Sequence, residues 1–76
     1  MWQLQVLDEN GIEVIEEKAK INSYRLSSVG KNKYKVEFFG NGFEKTVQTV
    51  KGVVVESDFC VFKTRKRSYL LYRLSV

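Results

Sequence analysis

The chain has 76 residues with a net charge of +4, one cysteine, no histidine and no proline. Hydrophobic residues make up 43% and charged residues 29%, the balance of a folded chain rather than a disordered one. So short a chain makes one domain, residues 1–76, with a net stability of about 5 kcal/mol, and a deep cleft with its own supporting shell is hard to build from it.

Cys60 has no second thiol to pair with, which fits a reducing compartment. The opening Met1-Trp2-Gln3-Leu4-Gln5-Val6-Leu7-Asp8 alternates apolar and polar residues, whereas a secretory signal needs a basic start and a continuous apolar run. The longest apolar runs, such as Gly52-Val53-Val54-Val55, are far too short to span a bilayer. We therefore expect a soluble, cytoplasmic protein with no membrane contact.

In chain order, the first element is an amphipathic strand with Trp2, Leu4 and Val6 on one face. Asp8-Glu9-Asn10-Gly11 should turn the chain into Ile12-Glu13-Val14-Ile15. Residues 12–20 carry two competing patterns. Ile12, Ile15 and Ala19 have helical spacing, and Glu16 to Lys20 are good helix formers. The alternation Ala19, Ile21 and then Tyr24, Leu26 fits strand if a bulge falls near Ser23. Strand is the preferred reading.

The clearest unit is a hairpin from Lys33 to Val50. Tyr34, Val36 and Phe38 share one face, with Lys33, Lys35 and Glu37 on the other. Asn41-Gly42 suits a two-residue turn with positive φ at both positions, which would pair Val36 with Val47 and Tyr34 with Thr49. A slip to a three-residue loop would put Glu44, Thr46 and Gln48 on the apolar face instead, so burial selects the first register. A second hairpin should run from Phe59 to Thr64, round a tip Arg65-Lys66-Arg67-Ser68, and from Tyr69 to Val76. Setting Thr64 opposite Tyr69 places Phe59, Val61, Leu70, Tyr72 and Leu74 on one side. Cys60, Phe62, Tyr69, Leu71 and Arg73 fall on the other. Both sides are apolar, as in a closed or strongly curved sheet, or in a sheet with one aromatic face free for a partner.

These elements predict an all-β fold, a small barrel or compact sandwich of about six or seven antiparallel strands, in the size class of OB and SH3-like barrels. The comparison is one of architecture alone.

The residue types argue against catalysis. Without histidine the chain lacks the commonest general base, thiol or hydroxyl activator and transition-metal ligand. Glu16 and Glu17 point to opposite sides of a strand and cannot flank a substrate as a pair. Asp8-x-Asn10-Gly11 resembles the opening of a calcium loop but lacks the further spaced ligands, and a turn accounts for it. Gly40-x-Gly42 lies within a hairpin, without the strand-to-helix setting of a phosphate loop. No enzyme activity, metal, cofactor or small-molecule substrate is expected.

What remains is charge beside aromatic rings. Asp8 to Glu17 holds five acids and no base, Lys18 to Lys35 six bases and no acid, and Lys63 to Arg73 five bases and no acid. We expect low-specificity binding of single-stranded nucleic acid or RNA through Lys31, Lys33, Lys35, Phe62, Lys63, Arg65, Lys66, Arg67, Tyr69 and Arg73, the bases meeting phosphates and the rings stacking on bases. The alternative is a protein-interaction or assembly component, such as an inhibitor, an adaptor or a phage virion or shell subunit. It would act through exposed β-edges and self-associate through the C-terminal strand.

Overall fold

The computed structural model describes residues 1–74. Among these described residues, eight strands form two antiparallel sheets. Strands β1 (Trp2–Leu7), β2 (Ala19–Ile21), β6 (Gly52–Val55), β7 (Phe59–Lys63) and β8 (Ser68–Arg73) make a five-stranded sheet in the order β2-β1-β8-β7-β6. Strands β3 (Ser23–Gly30), β4 (Lys33–Gly40) and β5 (Phe43–Val50) make a three-stranded sheet in chain order. The all-β expectation therefore holds, with more strands than the six or seven read from the sequence, and the described strands form two separate sheets rather than a closed barrel.

The chain passes between the sheets at two points. Asn22 links β2 to β3, and its N–H donates to the Phe39 carbonyl. Lys51 links β5 to β6, and its N–H donates to the Lys63 carbonyl. The bulge expected near Ser23 is absent: Ser23 pairs in register with Phe39, the chain changes sheet at Asn22, and the register shift of β3 lies between Ser28 and Gly30. Gly40 makes the first passage possible: a Cβ there would lie 2.7 Å from the Lys20 carbonyl oxygen, so only glycine lets β4 come this close to β2.

Alternation explains the core. Trp2, Leu4 and Val6 of β1 point inward with Cys60 and Phe62 of β7 and Tyr69 and Leu71 of β8. They meet Val36 and Phe38 of β4 and Val47 and Val50 of β5. Aromatic rings join the layers. Phe38 lies 5.8 Å from Phe62 and 6.2 Å from Tyr69, and Tyr24 lies 5.6 Å from Phe62 and 5.9 Å from Trp2, all between centroids. Each fully buried apolar side chain of this kind contributes about 1.5–3 kcal/mol.

Several sequence expectations need correction. The segment 12–20 is only partly strand: Glu13 bridges Leu7, Ile15–Glu17 form a 3₁₀ turn, and extended structure resumes at Ala19. In the first hairpin Val36 does face Val47, but a register shift then sets Tyr34 opposite Val50 rather than Thr49. The shift has a physical reason, because it buries Val50 and leaves Thr49 in solvent. At its turn only Gly42 takes a positive φ, +73°. The second hairpin pairs Lys63 with Ser68, so its tip is Thr64–Arg67 and its register differs by two residues from the expected one. The division of side chains between its faces survives, since a two-residue shift preserves parity. Its last strand was expected to run to Val76; β8 ends at Arg73, and residues 75–76 lie outside the described residues. Finally, β8 is paired on both sides, to β1 and β7, and offers no free edge for self-association; the sheet's edges are β2 and β6.

The turn Asp8–Gly11 forms as expected. The Asp8 carboxylate accepts from the N–H groups of Asn10 and Ile12, and Gly11 takes φ +79°. No helix among the described residues is long and apolar enough to cross a membrane.

Candidate binding face

The outward positions of the five-stranded sheet form three cross-strand rows. Gln3, Tyr72 and Phe59 make the first, Gln5, Leu70, Val61 and Val54 the second, and Leu7, Ser68, Lys63 and Gly52 the third. Phe59 and Tyr72 face each other across β7 and β8 and are 41% and 42% exposed, so two rings stand side by side in solvent. Val54 is 48% exposed, while Val61 and Leu70 between the rings and the lysine are half-buried. Among these strand positions, Lys63 and, on β2, Lys20 carry charge, and none is a carboxylate. Acids stand at the corners: Glu13 beside Leu7, and Glu56 and Asp58 in the turn that leads into β7.

The residues expected from sequence to form the interface divide into four groups. Phe62 and Tyr69 are core residues, 0% and 6% exposed, so, against the expectation, neither ring is free to stack on a base. The ring of Arg73's neighbour Trp2 claims that arginine: its guanidinium carbon lies 4.5 Å from the Trp2 centroid, and its Nε donates to the Ser57 carbonyl. Arg67 is likewise engaged, paired with Glu17. Lys35 is half-buried on the outside of the three-stranded sheet, where β4 sets it opposite Ser27 of β3.

The remaining bases are exposed: Lys31 in the β3–β4 turn, Lys33 at the start of β4, Lys63 at the end of β7, and Arg65 and Lys66 at the tip. None of these five forms an ion pair among the described residues. Lys63 and the tip are contiguous along the chain. Lys33 reaches them through Lys51, a residue the sequence reading left out. Lys33 and Lys51 line one cleft, and the Lys51 backbone is bonded to that of Lys63.

Phe59 and Tyr72 were also missed as site residues. The signal was present in Lys63 and Ser68. Once paired, these polar residues lie on the face of Phe59, Val61, Leu70 and Tyr72 and mark it as the one turned to water. Setting Thr64 opposite Tyr69 hides that pair.

Two buried or enclosed groups are tuned but lie away from this face. Burial pushes the Glu17 carboxyl up, but the hydrogen bond and charge of Lys45 and the charge of Arg67 outweigh it and hold the group below its ordinary value. Tyr24 is pushed up to about 12, first by its hydrogen bond with the Cys60 thiol, 3.5 Å away, and then by burial. Comparison with protein-family models, curated protein sequences and solved structures finds no match.

Proposed function

We propose that this protein is a non-catalytic binding module that takes single-stranded nucleic acid on the outward face of its five-stranded sheet. Phe59 and Tyr72 stack on bases, and Lys63, with Arg65 and Lys66 beyond it, meets the phosphates. The observation that carries this reading is the exposed ring pair on a face whose strand positions hold lysine and no carboxylate. Rings on a sheet stack on any base, at about 1–3 kcal/mol each, and phosphate contacts add affinity without sequence preference. The scaffold is a two-sheet body of OB or SH3-like size, joined by the passages at Asn22 and Lys51. Glu17, the most enclosed acid of the ion-pair cluster, is held in its ionised form, the reverse of what a carboxyl transferring protons near neutral pH needs.

The test is fluorescence anisotropy with a labelled oligothymidylate and its RNA counterpart. Micromolar or tighter binding at about 50 mM salt, weakening steeply toward about 200 mM, is expected. The double substitution Phe59→Ala/Tyr72→Ala should remove most of it. Binding indifferent to both rings would refute the assignment of the face.

A protein partner on the same face is the second reading, favoured by the apolar middle row Leu70, Val61 and Val54 and by β6, an edge strand whose Val54 and Val55 are both exposed. Self-association would be one form of it. Its signature is concentration-dependent mass in light scattering that salt leaves unchanged, together with no affinity for oligonucleotides.

A further inference from the structure

The lysines of the cleft at the β5–β6 passage have no role in the face described above. This cleft of about 220 Å³ is lined by Val29, Lys33, Gln48, Thr49, Val50 and Lys51. Its polar lining consists of two ammonium groups, an amide and a hydroxyl, with no carboxylate among them. Lys33 and Lys51 are exposed and form no ion pair among the described residues. Three cations are held by internal acids, Arg25 by Glu37 and Lys45 and Arg67 by Glu17; Lys33 and Lys51 belong to the larger set left unpaired among the described residues, and they are the two that share a concavity. Two unneutralised lysines at one concavity leave a local positive potential that an anion would relieve.

Position makes the cleft more than an isolated anion site. The Lys51 N–H donates to the Lys63 carbonyl at 2.8 Å, and Gly52 pairs with Lys63. Lys63, Lys51 and Lys33 therefore follow one another from the open sheet face round the passage between the sheets. Along β7 the ring row lies four residues from Lys63, about 13 Å at strand rise. A strand stacked on Phe59 and Tyr72 would cross Lys63 about 13 Å later and arrive next at Lys51. Gly52, at that point of the row, adds no side chain to the path.

The geometry points to the Lys33–Lys51 cleft as the phosphate-binding continuation of the nucleic-acid track, engaged only by strands long enough to pass Lys63. This rests on the reading of the sheet face given above. Val29, 53% exposed, forms its apolar wall, against which a sugar packs while the lysines hold the flanking phosphates.

The experiment compares two oligothymidylates, one of about four nucleotides and one of about twelve, over about 50 to 200 mM salt. Three variants are used: Lys33→Gln/Lys51→Gln, Phe59→Ala/Tyr72→Ala, and Arg25→Gln as a control that removes a charge beside Glu37, outside the cleft. Each phosphate contact to a single strand contributes about 0.7 to the slope of log affinity against log salt. The cleft variant should lower the long oligomer's slope by about 1.4 and weaken it about tenfold or more at low salt, leaving the short oligomer unchanged. Arg25→Gln should leave both unchanged. Loss of both ring contacts should weaken both oligomers at least about twentyfold. An unchanged slope for the long oligomer in the cleft variant, with the rings still required, would overturn the cleft and leave the sheet face standing. Absence of binding by the unmodified protein would overturn both.

Discussion

On the outside of the three-stranded sheet, Arg25 lies over the Phe39 ring, 5.8 Å from its centroid, and reaches Glu37 at 3.9 Å, so ring, cation and acid answer one another. On the outside of the five-stranded sheet, Phe59 and Tyr72 stand exposed together, and no cation caps either ring among the described residues. Both faces arise from strict alternation over the same core. The difference lies in their neighbours: one face carries both signs of charge and closes on itself, and the other carries lysine alone and is left open. Alternation decides which side chains look outward. Whether an outward face is finished depends on what its cross-strand partners supply.

The sharpest way to break this comparison uses two phenylalanines of one strand. Phe62 is fully buried and Phe59 is half in solvent. Phe62→Ala should cost about 3–5 kcal/mol, most of the stability of so small a chain, and abolish cooperative urea unfolding. Phe59→Ala should change the urea midpoint little, by about 0.5–1 kcal/mol, while weakening oligonucleotide binding. Equal costs for the two would mean that the faces of β7 are assigned wrongly.

The relation between the sheets depends on Gly40. Gly40→Ala places a methyl group 2.7 Å from a backbone oxygen that cannot swing aside, and about 1–3 kcal/mol of destabilisation is expected in the same unfolding measurement. Gly11→Ala makes the contrast, because open space surrounds that position and only its φ of +79° opposes the change.

A smaller effect concerns the cations held internally. The carboxyl of Glu17 is lowered in the folded protein, so its pairs with Lys45 and Arg67 stabilise above the ordinary value of 4.5 and are lost as pH falls through the folded value. Stability measured by urea at about pH 7 and about pH 3 should fall more steeply in the unmodified protein than in Glu17→Gln. Equal acid sensitivity would show that the cluster contributes nothing.

The smallest effect is spectroscopic. The phenol of Tyr24 is pushed up to about 12, so the neutral form is favoured in the fold; its contribution is whole below 10.0 and is lost as pH rises toward about 12. Ultraviolet titration should show one of the four tyrosines ionising late, and Cys60→Ala should bring it earlier by removing the hydrogen bond.

Much of the scaffold was legible because its signals are local. Trp2, Leu4 and Val6 alternate cleanly, Asp8 to Gly11 has turn chemistry, and Val36 opposite Val47 follows from the Asn41-Gly42 spacing. The candidate face was not legible in the same way. Between Phe59 and Tyr72 both sides of the hairpin are apolar, and which side turns inward is decided by where Phe38 lands, a contact between sheets that no local pattern encodes. The replacement of Thr49 by Val50 opposite Tyr34 is similar: a bulge appears because burial rewards it, without glycine to announce it. Lys51 looked like a lone base between strands, and its importance comes only from the passage that sets it beside Lys33 and Lys63.

Backbone and side-chain NMR of the labelled protein, titrated with a short oligothymidylate, bears most directly on which face is open. Shifts concentrated on Phe59, Val61, Lys63, Leu70 and Tyr72, with Arg25, Glu37 and Phe39 silent, are the predicted result. Shifts centred on the three-stranded sheet, or none anywhere at low salt, would contradict it.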